Sequence, residues 1–324
     1  MSVSEEIDVS KMHTINNGLV LWFIHLHFFG FYGLWLLIFE AKWMTVLFVT
    51  FLISVSYMGV TIGAHRYFAH RAFEVDDTLK YLLILVYTLA GVGPLYDWVF
   101  YHRLHHKFYK TDKDPYLTHK GFLYSYFWSH LLDSPYNQEE LKQDIDMRDI
   151  ENTSICSQKI FYWILFPVIT LFIPIIIPII YWNETIVNSI FIVGFLRLFI
   201  MSNVSKMVNS AILVWGFKPN DRFPIEDNSM FFLNKSYWMN YHYLLPWDWK
   251  STEFGTYNKG LTIIMIKILK DMNFVHLPKT ISSEDIRVAL LKCANKEASW
   301  EDNLFQLKEQ SDANAIKKSL RYMH

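Results

Sequence analysis

Cysteine is nearly missing from this chain. Cys156 and Cys293 are the only two in 324 residues. Their positions give neither metal-type nor redox-type spacing, which argues against a disulfide framework and for two reduced thiols. An excess of charge of one sign is also lacking. Thirty Lys and Arg stand against 31 Asp and Glu, a net charge of −1, so nothing points to nucleic acid as a partner. There is no phosphate-binding loop, no dedicated nucleophile and no low-complexity tract. A cleaved signal peptide is not expected, because the first apolar run is too long and no small-residue cleavage site follows it.

Long apolar runs are present instead, in a chain that is 52% hydrophobic. Residues 18–39, 43–61, 160–181 and 186–204 each approach or exceed the roughly 20 residues a helix needs to cross a bilayer. The gaps at Glu40–Lys42 and Trp182–Thr185 are so short that the four runs pair into two hairpins. Trp43 and Trp182 sit at those turns, where interface tryptophans are enriched. Pro167, Pro174 and Pro178 are expected to kink the third run. Residues 62–159 hold 11 of the 30 Lys and Arg and residues 205–324 hold 16, whereas the hairpin turns hold only Lys42. The positive-inside rule then places both polar segments, and both termini, in the cytosol. Asn183-Glu184-Thr185 fits the glycosylation acceptor pattern, but its place at the membrane surface predicts no modification. The fold expected is an all-α integral membrane protein: four transmembrane helices in two hairpins, with a cytosolic helical cap. Within that cap, residues 78–95 suit an interfacial helix, Ser282 opens a helix running to about Glu297, and 311–320 read as a frayed terminal helix.

Histidine is the residue that carries chemistry. His102, His105 and His106 stand at i, i+3 and i+4, so a helix puts all three imidazoles on one face. His65 and His70 are five apart, about 140° around an ideal helix, and need a helix end or a distortion to serve one site. Imidazole suits iron, zinc and copper, and both clusters fall just beyond apolar segments. His25 and His27, inside the first run, read as helix-facing residues. His119, His130 and His276 read as ordinary surface or half-buried histidines.

At these residues the chain resembles the membrane-bound acyl-CoA desaturases, most closely the animal Δ9 type. The resemblance runs from about Gly18 to Ala298. It includes Gly63-Ala64-His65-Arg66 with His70-Arg71-Ala72, then Tyr96 and Trp98. It continues through His102-Arg103-Leu104-His105-His106 with Asp112 and Asp114-Pro115, and Asn209-Ser210-Ala211 with Trp215-Gly216. Asn240-Tyr241-His242 with Pro246-Trp247-Asp248 completes it. The resemblance implies one desaturase-type domain over 1–298 with a tail at 299–324, and residence in the endoplasmic reticulum membrane. It implies insertion of a cis double bond into a fatty acyl-CoA with O2, with electrons from cytochrome b5. It also implies a di-iron centre on nine histidines. The ligand positions carried over are His65, His70, His102, His105, His106 and His242, and Asn209 corresponds to the asparagine that holds an iron-bound water.

Three of the nine positions read Leu213, Met239 and Tyr243. Leucine cannot bind a metal, methionine is a soft ligand poorly matched to ferrous iron, and tyrosine would have to lose a proton with an ordinary pKa near 10. Six histidines could hold one metal rather than two. The resemblance also implies an Arg-Asp pair near a CoA head group where this chain has Phe100-Tyr101, and an Arg-Lys pair for its phosphates near Asp133-Ser134. Two readings stay open: a desaturase with an altered iron site, or an inactive relative that binds a lipid or a partner in the same membrane. A one-metal hydrolase or hydroxylase is a weaker third.

Overall fold

The computed structural model describes residues 13–134, 136, 138–151, 153–210, 240–251 and 257–322. Four helices among them are long and apolar enough to cross a membrane: Asn17–Phe39, Trp43–Ala69, Ser154–Trp182 and Ile186–Ser210. Each contains one of the four apolar runs, and each except the first runs well beyond it. The second goes furthest past its run, because a buried backbone continues its hydrogen bonds through polar side chains. Its last part, Gly59–Ala69, is a π-helix carrying His65. In the third span the prolines remove backbone donors, and Phe166–Phe172 winds as a π-helix between two α-helical stretches. The chain divides into two compact units.

The first unit draws on residues 1–54 and 88–210. Its apolar core is Leu36, Val49, Leu52, Ile192, Val193 and Leu196. The first and fourth spans touch closely enough to require glycine. A Cβ on Gly33 would lie 2.1 Å from the Phe191 carbonyl oxygen. The two hairpin turns are locked by one carboxylate. Glu184, only 4% exposed, accepts from Thr45 Oγ1 (2.5 Å), the Lys42 N–H (3.0 Å), the Thr185 N–H (3.0 Å) and Asn188 Nδ2 (3.0 Å). Burial works to raise its pKa, but these donors prevail and hold it below the ordinary glutamate range. Trp182 Nε1 donates to Thr45 Oγ1 at 2.8 Å in the same corner. Arg197, wholly buried in the fourth span, is satisfied by the carbonyl oxygens of Val193, Leu89 and Thr170.

Of the described residues, 55–87, 240–251 and 257–322 make up the second unit. Its core cluster contains Tyr241, Leu245, Trp247, Ile281, Ile286, Ala289 and Leu307. The expected helix after Ser282 is Ser283–Ala294, and the Ser282 hydroxyl caps it by accepting from the Asp285 N–H at 3.1 Å. The terminal helix begins at Trp300 rather than near 311 and runs to Tyr322. Its charged sequence hides the apolar positions, Leu307 and Ala315, that bury it.

Candidate metal site

The second unit gathers three of the expected ligands. His70 lies one residue beyond the π-helix, and its N–H bonds to the His65 carbonyl five residues back at 3.2 Å. The wider π turn brings the two imidazoles together where an α-helix would splay them, a distortion typical of functional sites. Their ring centres are 4.7 Å apart. His242 comes from the short helix Asn240–Leu244. Three ties hold that region against the first histidine pair. Arg66, buried, donates to the Asp248 carbonyl at 3.3 Å. The Lys279 N–H donates to the Ala72 carbonyl at 2.9 Å, and the Trp249 N–H to the Lys279 carbonyl at 3.1 Å. The Asp248 carboxylate in turn accepts from the Tyr241 and Tyr257 hydroxyls at 2.5 and 2.9 Å. As a result His65 Nε2 and His242 Nε2 face each other at 3.1 Å. One nitrogen from each of His65, His70 and His242 lies within 4.8 Å of the others. Ser251 Oγ stands 3.4 Å from His242 Nδ1.

The first unit holds the second histidine box on the helix Leu95–Lys107. The rings of His102 and His106 are 4.8 Å apart, and His105 stands 6.0 and 5.8 Å from them. Side chains fix the orientation here. His102 Nδ1 donates to Asn209 Oδ1 at 2.7 Å, and Trp98 stacks on the same ring at 5.0 Å. His105 Nδ1 donates to Asp114 Oδ1 at 2.8 Å. Asp114 also accepts from the Thr118 hydroxyl and from the N–H groups of Tyr116 and Thr118. Burial opposes its charge, but His105 and these donors hold its carboxyl below the ordinary range. Donation from Nδ1 leaves the Nε2 lone pairs of His102 and His105 for a metal, as ligating histidines require.

A cavity of about 680 Å³ opens in the same unit, within the roughly 300–1,000 Å³ of small-molecule sites. Its apolar wall includes Trp22, Phe23, Leu26, Trp163 and Phe166, and its polar wall reaches Asn209. Tyr101 lines it, whereas Phe100 is wholly buried. Asp133 accepts from Asn16 Nδ2 at 2.9 Å and is therefore a tethered group rather than a bare charge.

Of the three substituted ligand positions, Leu213 and Met239 lie outside the described residues. Tyr243 is half-buried beside His242, ring centres 6.0 Å apart. Sequence reasoning passed over Asp114 and Asp248 as working residues. The signal available was their position shortly after each histidine box.

The arrangement defines a class: a multi-pass helical membrane protein with imidazoles clustered on and beside its helices. Residues 41–244 match the fatty acid desaturase family, and the chain belongs to that family. It is 34% identical to an acyl-CoA Delta-12 desaturase of Tribolium castaneum, covering 84% of this chain and 78% of that one. It is 36% identical to an acyl-CoA Delta-9 desaturase of Acheta domesticus, covering 81% and 74%. Against the stearoyl-CoA desaturase of Homo sapiens the identity is 29%, covering 81% and 73%.

Proposed function

We propose that this protein acts on fatty acyl chains in the endoplasmic reticulum membrane as a desaturase-type oxidoreductase, with both termini cytosolic and 1–298 forming one functional domain. The observation that carries the reading is the triple of imidazole nitrogens from His65, His70 and His242 within 4.8 Å of one another. Three neutral nitrogen donors at that spacing fit a single iron ion. The family resemblance adds His102, His105 and His106 as further ligand positions. Iron bound there would supply the O2-dependent oxidation that imidazoles alone cannot perform. Asp114 and Asn209 keep the second-box imidazoles in the tautomer that offers Nε2, and Asn209 also stands at the cavity wall, where an acyl chain would lie. Cytochrome b5 is the proposed electron donor and a fatty acyl-CoA the proposed substrate.

The donor set favours one iron over two. Nine imidazoles give two irons four or five protein ligands each, and six do not. With Leu213, Met239 and Tyr243 as they stand, we expect about one iron per chain or less and little desaturation. The same three substitutions carry the second reading, a relative that retains the membrane fold and a lipid site without turnover. Metal analysis of the purified full-length protein, paired with fatty-acid profiling of a desaturase-deficient cell expressing it, separates the two. Two irons per chain with unsaturated product above background establishes the enzyme. One iron or none, with no product, establishes a relative without turnover. Restoring histidine at all three positions is expected to raise iron content without restoring full turnover, because Phe100 and Tyr101 still replace the charges expected beside a CoA head group.

A further inference from the structure

The fourth span carries two cations, and they are treated differently. Arg197 is surrounded by three carbonyl oxygens. Lys206, half-buried nine residues further along the same helix, has no carboxylate or carbonyl partner for its ammonium among the described residues. Its Nζ stands 4.7 Å from the centre of the Phe23 ring, and the residue lines the 680 Å³ cavity. A lysine close to a span's end commonly extends to water; this one stands against an aromatic wall of a cavity instead. An unpaired charge in such a place is costly, and an ionisable residue in a membrane span marks a functional site by default, to be assigned a partner.

The surrounding wall indicates what that partner is. Asp97, the one acidic residue lining the cavity among the described residues, is already neutralised by Lys159 at 2.6 Å. Among the described residues of the wall, one uncompensated positive charge therefore remains. His130 lines the same wall, and its Nε2 is buried with no hydrogen-bond partner among the described residues. Burial, with Lys206 nearby, pushes its pKa down to about 3, so at neutral pH it is an uncharged imidazole able to give one hydrogen bond. The rest of the wall is mostly aromatic and aliphatic; of its polar side chains, Ser205 and Asn209 are already hydrogen-bonded to Trp98 and His102, and Ser202 is a neutral hydroxyl. One cation, a neutral imidazole beside it and a largely apolar lining match a ligand with one negative charge on an alkyl tail.

We propose that this cavity binds the carboxylate of a free long-chain fatty acid, with Lys206 as its counter-charge and His130 as a second contact. The several phosphates of a CoA thioester have no matching cations on this wall. The proposal does not depend on iron or turnover, so it can fail while the desaturase reading stands, and the reverse.

The test is equilibrium binding to the purified full-length protein in detergent, using palmitate, hexadecanol and palmitoyl-CoA as three separate probes. Palmitate is expected to bind about 10-fold or more tightly than hexadecanol, since a hydrogen-bonded charge pair contributes on that scale. Lys206→Met should remove that preference while leaving hexadecanol binding within about twofold, and Lys206→Arg should keep most of it. The comparison on the unmodified protein stands even if a variant fails to fold. Equal binding of palmitate and hexadecanol overturns the proposal. So does palmitoyl-CoA binding more tightly than palmitate with the same loss in Lys206→Met, which would assign Lys206 to a phosphate instead.

Discussion

The two histidine groups achieve similar ring spacings by different means. In the second unit the backbone does the work. A π-helical turn brings His65 and His70 together, and a chain of main-chain hydrogen bonds from Ala72 through Lys279 to Trp249 carries His242 to them. In the first unit an ordinary α-helix already aligns His102 and His106, and side chains set the rest: Asn209 and Trp98 on His102, Asp114 on His105. The first arrangement should be sensitive to changes in backbone path, and the second to changes in its supporting side chains.

The largest expected effect is on the backbone-built group. His242→Ala removes one of its three nitrogens, and iron in the purified protein should fall to background. Retention of the unmodified iron content would mean that the metal is held by the second box alone. Next is Asp114→Asn, which keeps the shape but removes the carboxylate behind His105. Loss of such a partner typically weakens metal binding about 10–100-fold, so a metal titration should show a shifted midpoint rather than abolition. An unchanged midpoint would show that this bracing does not reach the metal.

Gly59→Ala probes the backbone side of the comparison. A Cβ there would lie 2.5 Å from the Tyr87 nitrogen, so the start of the π-helix must move. Overpacking of this kind costs about 1–3 kcal/mol. The melting temperature should drop and iron should be lost with it, whereas a drop with full iron content would separate the π turn from the site. The smallest effect should come from Glu184→Gln, which touches neither group. Glu184's pKa lies below its ordinary value. Its contribution is therefore present above the ordinary glutamate range and lost as pH falls through the folded value. At neutral pH the variant should be less stable by about 1 kcal/mol, and the difference should shrink on acidification. A difference that grew as pH fell would reverse the sign of the proposed interaction.

Much of this was legible in the residues. The four spans and both hairpin turns follow from run length, and the i, i+3, i+4 spacing predicts the shared face of the second box. Family membership follows from the joint occurrence of the boxes with Asp114, Asn209 and Asp248. The terminal helix from Trp300 was obscured because its buried positions are sparse among charges. Asp133 looked like a bare negative charge until its tether to Asn16 was visible.

Sequence alone determined the spans and the second-box face, because burial in a membrane and helical periodicity are local properties of consecutive residues. It also showed that Leu213, Met239 and Tyr243 stand where the resemblance expects histidine. Only the tertiary structure decided how His65 and His70 come together, since a π turn is not encoded by apolar periodicity. Only the tertiary structure distinguished Arg197 from Lys206, two cations on one apolar helix. Two of the three carbonyls that satisfy Arg197, from Leu89 and Thr170, and the Phe23 ring beside Lys206 come from distant parts of the chain.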